Sequence, residues 1–181
     1  MITIIGSINF DLIARSPKLP EAGETLTGSS FSTAAGGKGA NQALAAARAG
    51  VPVRIVGAIG NDAFAPQAIA LLREEGVDLS RVATRGDATG IALITVEDSG
   101  ENIIIVIPGA NGLVTEDDVN AADLDGGYLL LQMEIPLPAL EKAIAMSESS
   151  ETICILNTAP WRDDAAALLP PCAASRERSR W

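Results

Sequence analysis

The densest cluster of chemically capable residues is the run Ala35-Gly36-Gly37-Lys38-Gly39-Ala40-Asn41-Gln42. It directly precedes an Ala-rich stretch of helical composition. Its glycines could let backbone approach a ligand, while the N–H groups of the first helical turn meet an oxygen-rich group. Lys38 adds a charge and three donors, and Asn41 both a donor and an acceptor. Two phosphate-binding patterns do not fit. Gly39 follows Lys38 where a P-loop has Ser or Thr, Ser32 stands in place of its first glycine, and Gln42 takes the third-glycine position of the dinucleotide fingerprint. A glycine-rich turn that only accommodates a tight bend is the plainer alternative.

Two further sets of polar residues flank apolar runs. Asn9 and Asp11, in Gly6-Ser7-Ile8-Asn9-Phe10-Asp11, follow the β-branched segment Ile2–Ile5. Two positions apart, they point the same way in extended backbone. A carboxylate beside an amide suits neighbouring hydroxyls, and open α/β sheets hold ligands outside the carboxyl ends of their strands. An Asx turn capping local backbone remains open. Glu134 closes another predicted strand, Tyr128–Gln132, where it could orient a ligand-contacting lysine or asparagine, or be a solvated acid before Pro136. Asn61-Asp62 reads as an N-cap for the helix after it.

Composition narrows the chemistry. The chain has 181 residues, 48% apolar and 20% charged, so a folded domain with a substantial core is expected. Its net charge of −10 argues against nucleic acid. With no histidine there can be no Ser-His-Asp or Cys-His catalysis and no His-ligated metal. Cys154 and Cys172 are too few for a four-thiolate site or a disulfide framework. The amino terminus lacks a basic region and its apolar run is too short for a signal peptide or membrane span, so no membrane association and a cytoplasmic setting are expected.

The elements that must position these residues alternate. Ile2–Ile5, Val53–Ala58 and Thr152–Leu156 read as buried strands; Ala40–Ala49, Phe64–Glu75 and Pro138–Ser147 read as helices, the first two closed by Gly50 and Gly76. Strands separated by helices imply a mostly parallel sheet with helices on both faces. Glu24–Phe31 alternates like a strand, and Gly90–Val96 with Asn102–Ile107 flanks a polar turn as a hairpin, together suggesting a small accessory sheet. Thr115 with the acids Glu116, Asp117 and Asp118 predicts a helix start, and Asp163–Leu169 a last helix. After Pro170-Pro171 the Arg/Ser alternation offers no apolar face.

The blocks above, with Pro20-Glu21-Ala22-Gly23-Glu24, Gly57-Ala58-Ile59-Gly60-Asn61-Asp62, Thr89-Gly90, Gly100-Glu101-Asn102, Pro108-Gly109-Ala110-Asn111 and Asn157-Thr158-Ala159-Pro160, resemble the ribokinase branch of the PfkB-type carbohydrate kinases. The resemblance spans roughly residues 1–160. It implies a ribokinase-like three-layer α/β/α sandwich with a small β-sheet lid, its strands at about 11–31 and 90–107, over the sugar and available as a homodimer interface. By that resemblance Asn9, Asp11, Gly37, Lys38 and Asn41 hold sugar hydroxyls and Glu134 is a further sugar-site acid. Ribose is the favoured substrate, with fructose and nucleoside-type relatives open. Thr158 departs from a usual proline.

The implied cofactors are ATP and Mg2+, with a monovalent cation such as K+. In the family the second half carries the nucleotide pocket and a Gly-Ala-Gly-Asp-type motif whose aspartate is the base. Neither that motif nor the Asn-x-x-Glu element occurs here. The expectation is therefore a kinase with the C-terminal half of its fold missing and no catalytic residue of its own, inactive alone. Thr152–Leu156 would be a strand with an unpaired edge, and 161–181 a divergent, frayed tail. The alternative is a non-catalytic sugar-binding or lid-mediated interaction protein. A nicotinamide-dependent enzyme lacks its glycine fingerprint.

Overall fold

A computed structural model describes residues 1–124, 126–168 and, for the backbone, 173–175. In chain order the elements are β1 (Ile2–Ile5), β2 (Asn9–Ser16), β3 (Ser30–Gly36), α1 (Lys38–Arg48), β4 (Val53–Ile59), α2 (Ala65–Ala68), α3 (Ala70–Glu74), β5 (Asp78–Thr84), β6 (Gly90–Glu97) and β7 (Asn102–Ile107). A 3-10 turn over Gly109–Leu113 leads to α4 (Glu116–Asn120), β8 (Gly127–Gln132), α5 (Leu137–Glu148), β9 (Thr152–Asn157), a 3-10 segment over Asp163–Leu168 and β10 (Ala173–Ser175).

Six strands form a parallel sheet in the order β10-β9-β8-β1-β4-β5. β1 sits at its middle, Ile4 paired with Ile55 on one side and Leu130 on the other. Alternate residues face opposite ways, so each face has its own core. Ile4, Val53, Ile55, Ala43 and Leu72 are buried on the side of α1 and α3; Ile5, Val56, Leu129, Leu131, Leu140 and Ile144 are buried on the side of α5. This is the expected three-layer α/β/α sandwich. No helix among the described residues is long and apolar enough to cross a membrane.

The second sheet runs β3-β2-β6-β7, with β2 and β6 parallel and both outer pairs antiparallel. It is fastened to the body by Phe10 of β2, whose ring stacks on Phe64 with centroids 5.2 Å apart.

Several expectations need correction. Asn9 and Asp11 do not trail β1; they open β2 in the second sheet. The strand expected over Glu24–Phe31 begins only at Ser30 and runs into the glycine segment as far as Gly36. Within residues 24–29, Glu24 instead ends a turn, its N–H donating to the Glu21 carbonyl at 3.0 Å, and pairs with Lys18 at 2.7 Å, while Ser29 N–H donates to the Arg15 carbonyl at 2.8 Å. With nothing buried beneath them, alternation there has no face to serve. The helix expected over Phe64–Glu75 is broken at Ile69, whose φ of −107° is outside the helical range.

β5 was not anticipated, because an edge strand carrying Asp78 and Arg81 shows little apolar alternation. It is pinned by Arg54–Asp78 at 2.9 Å. The edge of β9 is paired along Ile155–Asn157 by β10 rather than bare. The Asp163–Leu169 helix is a 3-10 segment over Asp163–Leu168; of the tail expected to be frayed, 161–168 and 173–175 are described and carry this segment and β10, while 169–172 and 176–181 lie outside the described residues. Thr115 caps α4 as anticipated, in a reciprocal capping box with Asp118.

Candidate functional site

The six residues singled out from sequence share one cavity. Asn9, Asp11, Gly37, Lys38, Asn41 and Glu134 all line a space of about 130 Å³. Ala92, Ile94, Ile104 and Val106 of the second sheet form its apolar wall. A larger cavity of about 330 Å³ adjoins it, sharing Asn9, Val106 and Glu134 and reaching Asn111, Met133 and Arg162.

Three elements meet here. β3 ends at Gly36, and Gly37, with φ of 91°, turns the chain into α1. A side chain at Gly37 would need both a strained backbone and space taken by the main chain of Ser7 and Asn9. Lys38 therefore begins α1 beside the Ser7–Asn9 segment. β8 delivers Glu134 two residues past its end, as placement at the carboxyl end of a parallel strand requires.

Glu134 is not a solvated loop acid. Its side chain is 11% exposed, Oε2 accepts from Ser7 Oγ at 2.5 Å and from the Lys38 backbone N–H at 3.1 Å, and Oε1 lies 3.6 Å from Lys38 Nζ. It orients the lysine, one of the roles expected for it. The same contacts correct another expectation. The first-turn N–H groups of α1 are not open to a ligand: Lys38 N–H goes to Glu134, Gly39 N–H to Ser7 Oγ at 3.3 Å, and Ala40 N–H to the Ser7 carbonyl at 2.9 Å.

Asp11 is the opposite case. Its Oδ1 is buried without a hydrogen-bond partner. Burial pushes its carboxyl up to about 6, the Glu134 charge pushes the same way, and Lys38 opposes both. A Cβ on Gly36 would overlap the Asp11 carboxylate, so that glycine makes room for the acid. Asn9 is 4% exposed, and its Oδ1 accepts from Asn111 Nδ2 at 2.7 Å. Asn41 stands exposed at the rim.

Sequence reading assigned no role to Ser7 or Asn111, although both lie in blocks that carried the resemblance. The available signal was their position: a small polar residue directly after a buried strand, and an amide after Pro-Gly-Ala. Asp62 accepts from Phe64 and Ala65 N–H at 3.1 and 2.9 Å, which fits the N-cap reading. It also binds Thr89 through N–H and Oγ1, both at 2.7 Å, tying the start of β6 to the body.

Among the described residues no group of three or more His, Cys, Asp or Glu could hold a metal ion. Glu134 is engaged by Ser7 and Lys38, and the first-turn N–H groups of α1 are engaged by Glu134 and Ser7.

An α/β sandwich that closes a small apolar-walled cavity with carboxylate, amide and ammonium groups has the chemistry to hold a polyhydroxylated small molecule. The pfkB family carbohydrate kinase model matches residues 1–174, and the chain belongs to that family. It is 39% identical to the ribokinase of Schizosaccharomyces pombe over 169 residues, covering 88% of this chain and 53% of that one. Two solved structures are similar in fold and sequence. One is the ribokinase of Cryptococcus neoformans var. grubii serotype A in complex with ADP (TM-score 0.79, 32% identity, 91% of this chain and 52% of that one). The other is Arabidopsis thaliana ribokinase with ribose and ATP (TM-score 0.74, 32% identity, 87% and 53%). The chain thus spans about half the length of the relatives it matches.

Proposed function

We propose that this chain is the sugar-recognition part of a ribokinase-type carbohydrate kinase. D-ribose is its favoured sugar, and ATP-dependent formation of ribose 5-phosphate is the activity of the whole enzyme. The observation that carries this reading is the convergence of Asn9, Asp11, Gly37, Lys38, Asn41 and Glu134 on one small cavity. Asp11 is half-buried and its Oδ1 has no donor, so a sugar hydroxyl would satisfy the carboxylate. Lys38, aimed by Glu134, and Asn41 would donate to other oxygens, and Gly37 would let the backbone approach them. Donors and acceptors spaced around a ring of hydroxyls are what a pentose requires.

The donor system proposed for the whole enzyme is ATP with Mg2+ and a monovalent cation such as K+. Residues 1–160 would be the N-terminal part of the kinase domain and 161–181 a divergent tail, in a cytoplasmic protein. A homodimer through the lid is supported by β7, where Ile103 to Ile107 are all exposed. A second reading is a non-catalytic sugar-binding or lid-mediated interaction protein, for which the polar cavity and the exposed apolar strand β7 would suffice.

Titration calorimetry with D-ribose and a coupled ADP-release assay on one preparation test both. Saturable ribose binding is expected, weakened about 10- to 100-fold by Asp11→Ala, the worth of hydrogen bonds to a charged group. ADP release that survives repurification and is lost in Asp11→Ala would place transfer chemistry in this chain and overturn the second reading. A wild-type chain that ignores ribose would overturn both.

A further inference from the structure

We propose that Asn111 is a positioning residue: it locks the Asn9 amide in one orientation, so that residue 9 meets a ligand only as a hydrogen-bond donor. This rests on the sugar-site reading above and concerns how that site discriminates. The Ile8 N–H donates to Asn111 Oδ1 at 2.9 Å, and Asn111 Nδ2 donates to the Ile8 carbonyl at 3.1 Å. A backbone N–H only donates and a carbonyl only accepts, so the main chain of Ile8 fixes which end of the Asn111 amide is nitrogen.

The second Asn111 N–H then needs an acceptor, and at 2.7 Å it meets the Asn9 side chain, which must offer Oδ1. What Asn9 has left to present to the two cavities it lines is its NH2 group. Asn111 and Asn9 are 1% and 4% exposed, so water does not compete; a flipped Asn9 amide would set N–H against N–H. β2 and β6 pair Asn9 with Gly90, where a Cβ would overlap both Asn111 Nδ2 and Asn9 Oδ1. The missing side chain at Gly90 is the space this hydrogen bond occupies. Asn9 and Asp11 thus form a polarised pair on one strand, one donating and one accepting. A ligand atom on Asn9 must carry a lone pair, and a group able only to donate is rejected there.

The test is side-chain amide NMR of the uniformly 15N-labelled chain, free and titrated with D-ribose. In the free protein the Asn111 NH2 protons are expected to exchange slowly with water and those of Asn9 faster; the reverse pattern overturns the proposal. Ribose should shift and protect the Asn9 NH2 and leave that of Asn111 in place. Asn111→Asp keeps an acceptor for the Ile8 N–H but cannot donate to Asn9. It should bind ribose at least about 10-fold more weakly and lose the Asn9 NH2 shift.

If Asn111→Asp does not fold, Asn9→Asp keeps Asn111 and side-chain size while turning the exposed end into an acceptor. The Asn111 NH2 should stay protected and ribose binding should again fall at least about 10-fold. Ribose binding as tight as wild type in either folded variant overturns the proposal. A wild-type chain that binds no ribose defeats the sugar reading instead, and the exchange pattern of the free protein still decides the polarity of Asn9.

Discussion

The large sheet and the small one bury their residues in opposite ways. Helices cover the large sheet on both faces, and Ile4, Ile5, Ile55, Val56, Leu129 and Leu131 are all fully hidden. The small sheet buries apolar side chains near its root, at Phe10 and Ala92; along β7, Ile103 to Ile107 are 44–58% exposed and Phe31 on β3 is 68% exposed. The cavity lies on the seam between these regimes. Lys38 and Glu134 come from the body, Asn9 and Asp11 from the root of the lid, and the apolar wall from the lid itself. The body side of the seam supplies the charged groups, and the small sheet supplies apolar surface facing them. The seam is where a bound sugar would add most to the stability of the structure.

The largest expected effect measures the contrast directly. Leu131→Ala in the covered core should cost about 2–5 kcal/mol in urea unfolding, the usual range for a buried leucine. Ile105→Ala on the open lid should stay within about 0.5 kcal/mol. An Ile105→Ala cost approaching that of Leu131→Ala, with a melting temperature that rises with protein concentration, would show the lid buried against a second copy in solution. Gly36→Ala comes next. Its Cβ would collide with the Asp11 carboxylate, so ribose binding should weaken more than about 10-fold, a loss of about 1.4 kcal/mol. Unchanged affinity would mean that Asp11 does not hold the sugar. Hydrogen exchange gives a subtler reading: ribose should slow the amides of β2 and β6 and leave those of β8 nearly unchanged, because β8 is already locked. Equal slowing of all three would remove the distinction between body and lid.

What was legible in the sequence follows the same division. The buried parallel strand Ile2–Ile5 is written as an unbroken β-branched run, since both faces are covered, and Val53–Ala58 is a mainly apolar run of the same kind interrupted by Arg54. Residue type and spacing drew attention to Gly37, Lys38 and Asn41, but left Asn9 and Asp11 open to an Asx turn and Glu134 open to a solvated acid; the resemblance to carbohydrate kinases joined the six into one candidate site. The sheet to which Asn9 and Asp11 belong was not legible. Nothing between Ile5 and Asn9 marks the passage from one sheet to the other, which is set by contacts to Gly37, Gly39 and Asn111 far along the chain. Occupancy of the α1 terminus was equally hidden, because Ser7 and Glu134 reach it from 32 and 96 residues away. β5 escaped notice because an edge strand needs only half a pattern.

The smallest effect concerns Asp11 alone, and it separates the needs of the site from those of the fold. Its carboxyl is raised to about 6 from an ordinary value near 3.8, chiefly by burial. Between about pH 4 and 6 the folded chain therefore holds a proton that the unfolded chain has released. Stability falls as pH rises through that window and stays at its lower level above it. Asp11→Asn removes the penalty without changing the side chain's size. The variant should be more stable than wild type in urea unfolding at pH 7.5, and the advantage should disappear by about pH 4. Ribose binding should run the other way: a hydroxyl donates to the ionised acid, so wild-type affinity should weaken as pH drops below about 6, while the variant binds poorly at every pH. If Asp11→Asn is instead less stable at pH 7.5, a donor satisfies the carboxylate in the free protein. The acid would then belong to the fold rather than to the ligand.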